Sequence, residues 1–195
     1  MDFGAPRTRV KVCGITRVED ARAAVEAGAD LLGFVMAESP RHVSPERAAE
    51  IFAAAPGAEG VAVMVRPSPE EALTLARRAG VPRIQLHGVD PAAWPRDFPL
   101  PVIFSVGVAD ASPEASAWPD RRHWMLCDTL RAGHWGGSGQ SFPWAYVGAA
   151  GTAGTRMFTD HHGSVVVPAW AIPSDRFNAS NSGKDRPRDF LGETR

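Results

Sequence analysis

The sequence of 195 residues contains little cysteine and no long apolar run. Its two cysteines, Cys13 and Cys127, are far apart and belong to no C-x-x-C pair, so a disulfide and a cysteine-rich metal site are both disfavoured. No stretch is apolar long enough to span a membrane. The N-terminal segment, MDFGAPRTR, has arginines but lacks the apolar core of a signal peptide. These absences predict a cytoplasmic protein without a membrane partner.

An excess of one charge is also lacking, because the formal net charge is -1 at pH 7. A protein that binds nucleic acid usually shows a basic face, so we expect no nucleic-acid partner. Adjacent His161 and His162 lack the spacing of a helical metal site, and we interpret them as a solvated pair in a loop. The length and a hydrophobic fraction of 44% fit one globular domain with a full core.

The chain shows instead a repeated alternation of apolar strands and helical segments. Helices are predicted after the first three strands, and two of them begin with a Ser-Pro pair in which Ser44 and Ser68 are the expected N-caps. Gly28 and Gly80 are the expected end signals of the first and third helices. Strand starts recur about every 20 to 30 residues, as in βα units. The predicted strands are Val10–Thr16, Leu31–Met36, Gly60–Val65, Arg83–Gly88, Pro101–Val108 and His123–Asp128.

Near-continuous apolar strands are typical of a parallel sheet that helices cover on its faces. The predicted fold class is therefore α/β, either a barrel or an open doubly wound sheet. No strand leads into a G-x-G-x-x-G helix start, which disfavours a dinucleotide-binding sheet.

The last quarter of the sequence loses this pattern and becomes polar and turn-rich. SVVVPAW, starting at Ser164, can form one strand, which Pro168 interrupts. We divide the chain into an N-terminal extension at residues 1–9, βα barrel units one to six at residues 10–148, and an atypical C-terminal tail at residues 149–195. The tail has the length but not the pattern of two more units, which favours a reading-frame change in the gene. Six strands alone would leave two open sheet edges.

Polar residues stand at the carboxyl ends of the predicted strands, where parallel α/β folds place their active sites. Cys13 ends the first strand before Gly14, and alternation puts Lys11 on its face. The thiol is either a small buried hydrophobe or a catalytic group. Asp128 ends the sixth strand, where a carboxylate either acts in catalysis or caps a turn.

Three further features carry a weaker signal. Arg41, in SPRHVSP, is either a bidentate clamp for a carboxylate or an exposed loop residue. His87 follows an apolar strand, which is more typical of a satisfied structural histidine than of a base. The GGSG loop, Gly136 to Gly139, can gather backbone N–H groups around an anion, although glycine clusters are more often flexible loops.

Taken together, five segments resemble the phosphoribosylanthranilate isomerase family of tryptophan biosynthesis. They follow the order and spacing of that family from about Val10 to Trp144. The segments are VKVCGIT with RVEDA, GADLLGFVMAESPRHVSPERA, IQLHG, LCD and GGSGQSFPW.

The resemblance implies a TIM (β/α)8-type barrel and an isomerase of amino-acid biosynthesis. The implied reaction is an Amadori rearrangement of N-(5-phosphoribosyl)anthranilate to 1-(2-carboxyphenylamino)-1-deoxyribulose 5-phosphate, without cofactor or metal. The family's AGG-type and SSG-type loops, which complete its phosphate site after strands seven and eight, are missing here. We therefore expect the barrel to be incomplete or disordered in its last two units.

The resemblance also implies roles for individual residues. Cys13 is implied as the general base that takes the proton from the second sugar carbon, and Asp128 as the general acid that protonates the furanose ring oxygen. Arg41 is the implied partner of the anthranilate carboxylate. The other implied substrate-binding residues are Gln85, His87, Gly137, Ser138 and Gly139.

Other interpretations stay open at this point. An indole-glycerol-phosphate synthase needs catalytic lysines, and it is disfavoured because the chain has only Lys11 and Lys184. A ribulose-phosphate epimerase needs metal-binding side chains at strand ends, for which only His87 and Asp128 are candidates. A non-catalytic or weakly active remnant of the isomerase and a redox sensor built on Cys13 belong to other classes. For the isomerase we expect a small phosphosugar partner and a monomer or homodimer.

Overall fold

The computed structural model describes residues 9–108, 123–129, 155–159 and 164–168. They form a closed barrel whose eight strands follow one another in chain order. All six predicted strands and the three predicted helices are present, with small shifts at their ends. The elements are β1 (Arg9–Cys13), α1 (Val18–Glu26), β2 (Leu31–Val35), α2 (Pro45–Ala53), β3 (Glu59–Val65), α3 (Pro69–Arg78), β4 (Arg83–His87), a 3-10 turn (Pro91–Ala93), β5 (Val102–Val108), β6 (Trp124–Thr129), β7 (Thr155–Thr159) and β8 (Ser164–Pro168).

Local signals begin and end the helices as predicted. The Ser44 hydroxyl accepts a hydrogen bond from the Arg47 N–H at 3.2 Å, and the Ser68 hydroxyl accepts one from the Glu71 N–H at 3.1 Å. Each of these helices has proline in its first turn, where a missing N–H breaks no intrahelical bond. Gly28 follows α1 with φ +90°, the left-handed conformation that commonly terminates a helix.

Strands β2 to β4 bury both faces, because one face lines the barrel and the other meets the helices. The two faces belong to two separate apolar clusters, as the alternation of side chains along a strand requires. The inner cluster consists of Leu31, Val61, Val63, Ile103, Trp124 and Leu126. The outer cluster includes Leu32, Phe34, Ala62, Met64, Ile84 and Phe104 from the strands and Ala48, Ile51, Ala72 and Ala76 from α2 and α3.

A charged and aromatic layer fills the amino-terminal end of the barrel. Glu59 accepts hydrogen bonds from Arg9, at 3.1 Å, and from Arg83. The guanidinium carbons of Arg83 and Arg9 lie 3.9 and 5.0 Å from the Trp124 ring centroid. Burial lowers the pKa of the Arg83 guanidinium, and the hydrogen bond to Glu59 opposes that shift. The amino-terminal end of the interior is therefore closed by ionic and aromatic contacts.

The last two strands depart from the parallel pattern. Strand β7 pairs with β6 in parallel, whereas β8 runs antiparallel to both β7 and β1. Only residues 160–163 separate them, and a parallel crossover needs a dozen or more residues. The βα pattern is thus incomplete between β7 and β8, in the part of the chain predicted to be atypical, and the strand predicted at Ser164 is present and ends at Pro168. The expectation of two open sheet edges is wrong, because β8 pairs with β1 and closes the ring.

Candidate active site

The carboxyl end of β1 turns sharply at Gly14, which has φ +85°. The N–H groups of Gly14 and Ile15 both donate to the Gly33 carbonyl, at 2.9 and 3.0 Å, and so fix the turn to β2. Ile15 is 4% exposed and anchors the turn in the outer cluster. Cys13 is a free, half-buried thiol packed against the inner cluster. It therefore stands at the rim of the barrel, on the face that lines the interior.

The Arg41 side chain lies across this turn. Its Nη1 donates a hydrogen bond to the Cys13 carbonyl at 3.0 Å. This position depends on Gly14, because a Cβ at residue 14 would lie 2.5 Å from Arg41 Nη1 and 2.8 Å from its Cζ. The Arg41 N–H donates to Ser39 Oγ at 3.1 Å, which steadies the loop. Since Arg41 is exposed, its guanidinium can be reached by a ligand at the rim.

Gly33 of β2 leaves room for two side chains of β1. A Cβ on Gly33 would lie 2.8 Å from Cys13 Sγ and 3.1 Å from Lys11 Nζ. Lys11 is completely buried, and its Nζ has no hydrogen-bond partner in the part of the chain that the structure describes. A buried ammonium without a partner is costly. A charged group that fold stability does not explain thus lies in the interior next to the thiol.

Two of the predicted substrate-binding residues are buried on β4 and contact each other. Gln85 is 3% exposed and His87 is 8% exposed. Gln85 Nε2 lies 2.8 Å from His87 Nε2. An amide nitrogen only donates, so the imidazole nitrogen is the acceptor of this contact. Gln85 Oε1 is buried and has no hydrogen-bond partner among the described residues.

The predicted acid belongs to the sixth strand. Asp128 has Gly107 of β5 as its register partner. Trp124 and Leu126 of the same strand belong to the inner cluster. Two strands, β7 and β8, separate β6 from β1 around the ring. Asp128 and Cys13 therefore belong to the carboxyl ends of two strands that face the same interior from different sides.

The predicted phosphate-binding residues Gly137, Ser138 and Gly139 lie outside the described residues, and so do His161 and His162. Within the described ranges, no group of three or more His, Cys, Asp or Glu side chains is placed to hold a metal ion. In those same ranges, every helix is too short or too polar to cross a membrane.

Two residues of this site had no assigned role in the sequence interpretation. The sequence marks Lys11 as unusual, because it is a cation inside an apolar strand and shares a face with Cys13. Gly33 interrupts the apolar run LLGFV, and a glycine inside a strand often marks a close approach of another group. Which group approaches is decided by the pairing of β1 with β2, in which Cys13 is the partner of Gly33.

Comparison with known proteins extends the similarity over most of the chain. Residues 10–158 match the family model described as N-(5'-phosphoribosyl)anthranilate (PRA) isomerase. That range contains Cys13, Arg41 and Asp128. An N-(5'-phosphoribosyl)anthranilate isomerase from Rubrobacter xylanophilus is 44% identical over 143 residues, which are 70% of this chain and 69% of that protein.

Solved structures show the same relationship. The phosphoribosyl anthranilate isomerase of Thermotoga maritima matches with a TM-score of 0.62 and 33% identity, over 80% of this chain and 77% of that one. Another such isomerase, solved in complex with reduced 1-(o-carboxyphenylamino)-1-deoxyribulose 5-phosphate, matches with a TM-score of 0.51 and 34% identity, over 63% of this chain and 65% of that one. Sequence and fold agree, and the chain belongs to the N-(5'-phosphoribosyl)anthranilate isomerase family.

Proposed function

We propose that this chain is a phosphoribosylanthranilate isomerase of tryptophan biosynthesis. It converts N-(5-phosphoribosyl)anthranilate, an aminoaldose, into 1-(2-carboxyphenylamino)-1-deoxyribulose 5-phosphate by an Amadori rearrangement. The observation that carries the proposal is the thiol at the rim of β1, with Arg41 bound to its carbonyl, in a chain whose residues 10–158 match the family.

Cys13 is the general base in this proposal. Once the sugar ring has opened, the substrate is a protonated imine, whose positive charge acidifies the neighbouring C2–H. The Cys13 thiolate accepts that proton, and the electron pair of the C–H bond neutralises the imine to give the enol product. The half-buried position of Cys13 supports this role, because a ligand at the rim can reach the sulfur.

Asp128 is the general acid. It gives a proton to the furanose ring oxygen, which breaks the C–O bond and produces the imine. A carboxylic acid keeps its proton near neutral pH when its surroundings are apolar or a second negative charge is close. The substrate brings a phosphate and a carboxylate, which supply such negative charge when it binds.

Different loops bind the two anionic ends of the substrate, its carboxylate and its phosphate. Arg41 binds the anthranilate carboxylate, for which a guanidinium offers two parallel N–H donors. Gly137, Ser138 and Gly139 bind the phosphate through backbone N–H groups. Gln85 and His87 support the floor of the site through their mutual hydrogen bond, with Gln85 Oε1 available to a sugar hydroxyl.

A second candidate is a weakly active or non-catalytic remnant of the same enzyme. The direction of β8 favours it. In TIM barrels a phosphate site is frequently built by the loops after strands seven and eight. Because β8 is antiparallel to β7, the carboxyl ends of these two strands do not meet at one rim, as the strands of a complete TIM barrel do.

The test is an isomerase assay of the full chain that follows the loss of anthranilate fluorescence, with thermal unfolding measured on the same sample. We expect turnover well above the uncatalysed rate. A chain that unfolds cooperatively but gives no turnover above the uncatalysed rate contradicts the proposal and supports the remnant. The Cys13→Ser variant supplies the background rate.

A substitution at Gly14 is expected to weaken substrate binding through Arg41. Gly14→Ala combines a left-handed φ with a clash against the guanidinium, whereas Gly28→Ala has the left-handed φ alone, with nothing within 4 Å of its Cβ. Both variants should lose about 1 to 2 kcal/mol of unfolding free energy. Only Gly14→Ala should raise KM, about tenfold or more, in the same assay. Equal KM values for the two variants would show that Arg41 does not bind substrate.

A second pair of glycine substitutions distinguishes the effect of a methyl group beside Cys13 from the effect of overpacking the core elsewhere. Gly33→Ala pushes a methyl group against Cys13 Sγ, whereas Gly60→Ala pushes one against Val81 Cγ1, at 2.6 Å, in the outer cluster. Both should destabilise the fold by about 1 to 3 kcal/mol. We expect kcat to fall at least tenfold in Gly33→Ala and to change little in Gly60→Ala, measured well below both unfolding temperatures. A similar kcat in the two variants contradicts a catalytic position for Cys13.

The sequence-based predictions of a cytoplasmic location, of a monomer or homodimer and of no nucleic-acid partner remain predictions. So does the division of the chain at residues 148 and 149. Resequencing the last third of the gene tests the proposed reading-frame change. An unbroken frame that encodes this tail in the organism counts against it.

A further inference from the structure

We propose that Cys13 is a site of reversible oxidation, at which the side chain of Lys11 holds the oxygen atom of a cysteine sulfenic acid. The oxidant is hydrogen peroxide, and the oxidised enzyme is inactive until a thiol reduces Cys13. The loss of activity rests on the proposed function, whereas the modification itself does not. Three features support the proposal: a half-buried free thiol, a buried Lys11 Nζ without a partner, and the glycine beside both.

The thiol of Cys13 is free and half-buried at the carboxyl end of β1. A small oxidant can therefore reach the sulfur, which is the first requirement of an oxidation site. Exposure alone is not specific. A sulfenic acid that persists also needs a group that holds its oxygen, because a sulfenic acid otherwise reacts further with peroxide or with another thiol.

Lys11 supplies a hydrogen-bond donor that the described residues leave without an acceptor. Its side chain is completely buried, and Nζ has no hydrogen-bond partner within the described part of the chain. The Glu59 carboxylate of the amino-terminal layer accepts its hydrogen bonds from Arg9 and Arg83 instead. A buried donor without an acceptor is unfavourable, so an oxygen atom added next to Nζ would gain a hydrogen bond that costs no other contact.

Gly33 of β2 is the neighbour that the donor and the thiol share. Cys13 Sγ and Lys11 Nζ lie 2.8 and 3.1 Å from the point where a Cβ of Gly33 would stand. Because this residue is glycine, no side chain fills the space that the two atoms border. One oxygen atom bonded to the sulfur can extend into that space and accept a hydrogen bond from Nζ.

The other side chains around Cys13 do not offer such a donor. Leu31 and Val35, on the same face of β2 as Gly33, are apolar members or neighbours of the inner cluster. Arg41 Nη1 donates its hydrogen bond to the Cys13 carbonyl. Among the described side chains that border the sulfur, Lys11 is therefore the donor placed to hold an added oxygen.

The chemical step is a two-electron oxidation of the sulfur. The sulfur attacks one oxygen of hydrogen peroxide, the O–O bond breaks, and the products are the Cys13 sulfenic acid and one molecule of water. Two equivalents of an external thiol reverse the step and give Cys13, water and the disulfide of that thiol. Lys11 transfers no proton in either direction. Its hydrogen bond draws electron density from the new oxygen, so the sulfur attacks a second peroxide molecule more slowly.

The experiment treats the reduced full chain with excess hydrogen peroxide, traps sulfenic acid with dimedone at successive times, and follows the Cys13 peptide by mass spectrometry. We expect native Cys13 to accumulate as sulfenic acid, and dithiothreitol added before dimedone to abolish the adduct. Lys11→Met keeps a side chain of similar length without a donor, so its sulfenic acid should pass to irreversible sulfinic acid at least about tenfold faster. The control Ile103→Val loosens the same inner cluster, removes no donor and should behave as the native chain.

Native Cys13 that gives no dimedone adduct overturns the proposal, and so does a folded Lys11→Met variant whose sulfenic acid persists as long as the native one. If Lys11→Met does not fold, a crystal structure of the peroxide-treated native chain decides. We expect the sulfenic oxygen within hydrogen-bond distance of Lys11 Nζ, and an oxygen directed elsewhere overturns the proposal.

Isomerase activity is measured separately from the peptide. In an active chain, turnover should fall in parallel with the oxidation of Cys13 and return after dithiothreitol. Full turnover after complete oxidation of Cys13 contradicts its role as the general base and leaves the oxidation site intact. A chain without turnover that still forms a Lys11-dependent sulfenic acid likewise contradicts the proposed function alone.

Discussion

Replacing Cys13 by serine is expected to lower kcat for N-(5-phosphoribosyl)anthranilate by about 10² to 10⁴-fold, the range found for removal of a general base. Serine has nearly the shape of cysteine, so the close approach to Gly33 is preserved. A hydroxyl, however, is not ionised near neutral pH and cannot accept the C2 proton. KM should change little, because the proposal gives Cys13 no part in binding the substrate.

The matched control is the same substitution at the second cysteine. Cys127 precedes Asp128 on β6, and the sequence alone predicts that neighbouring residues of a strand face opposite sides. Cys127→Ser should therefore keep kcat, whatever it does to stability. Steady-state kinetics of both variants decide the matter. If Cys13→Ser keeps more than a tenth of the native kcat, Cys13 is not the base.

Replacing Asp128 by asparagine is expected to lower kcat by a similar factor, about 10² to 10⁴-fold. An amide has the size of a carboxylic acid but cannot protonate the furanose ring oxygen, so the ring would open only at the rate that water supports. Because ring opening precedes the step of Cys13, the double variant should be little slower than either single variant. Residues that act in one sequence of steps show such non-additive effects.

Asp97→Asn is the control for this substitution. Asp97 is exposed and lies between the 3-10 turn and the amino end of β5. Its variant should keep the native kcat and KM. Equal kcat values for Asp128→Asn and the native chain would remove Asp128 from the mechanism, and the acid would then have to be sought on another strand.

The elements from β1 to β6 could be predicted because their signals are local. Apolar runs of strand length, Ser-Pro helix starts and glycine at helix ends fix each βα unit within a few residues of sequence. The Ser44 and Ser68 caps are confirmed by the hydrogen bonds they accept. Parallel packing then brings the strand ends to one rim, so the place of Cys13 could be predicted from its position in the chain.

The features that sequence could not predict depend on contacts between distant segments. The closure of the ring by an antiparallel β8 arises because Val10 of β1 pairs with Val165, far along the chain. The sequence places Arg41 in a loop but does not indicate its partner. Its hydrogen bond to the Cys13 carbonyl joins residues 28 positions apart. The isolation of Lys11 requires knowing that Glu59 is already shared by two arginines.

The most direct test of the central claim is a crystal structure of the full chain with reduced 1-(o-carboxyphenylamino)-1-deoxyribulose 5-phosphate, the ligand bound in a related isomerase. The account predicts the analogue at the carboxyl rim, with its ribulose chain between Cys13 Sγ and the Asp128 carboxyl group and its carboxylate on Arg41. An analogue bound elsewhere, or Cys13 and Asp128 side chains that point away from each other with no space between them, would contradict it.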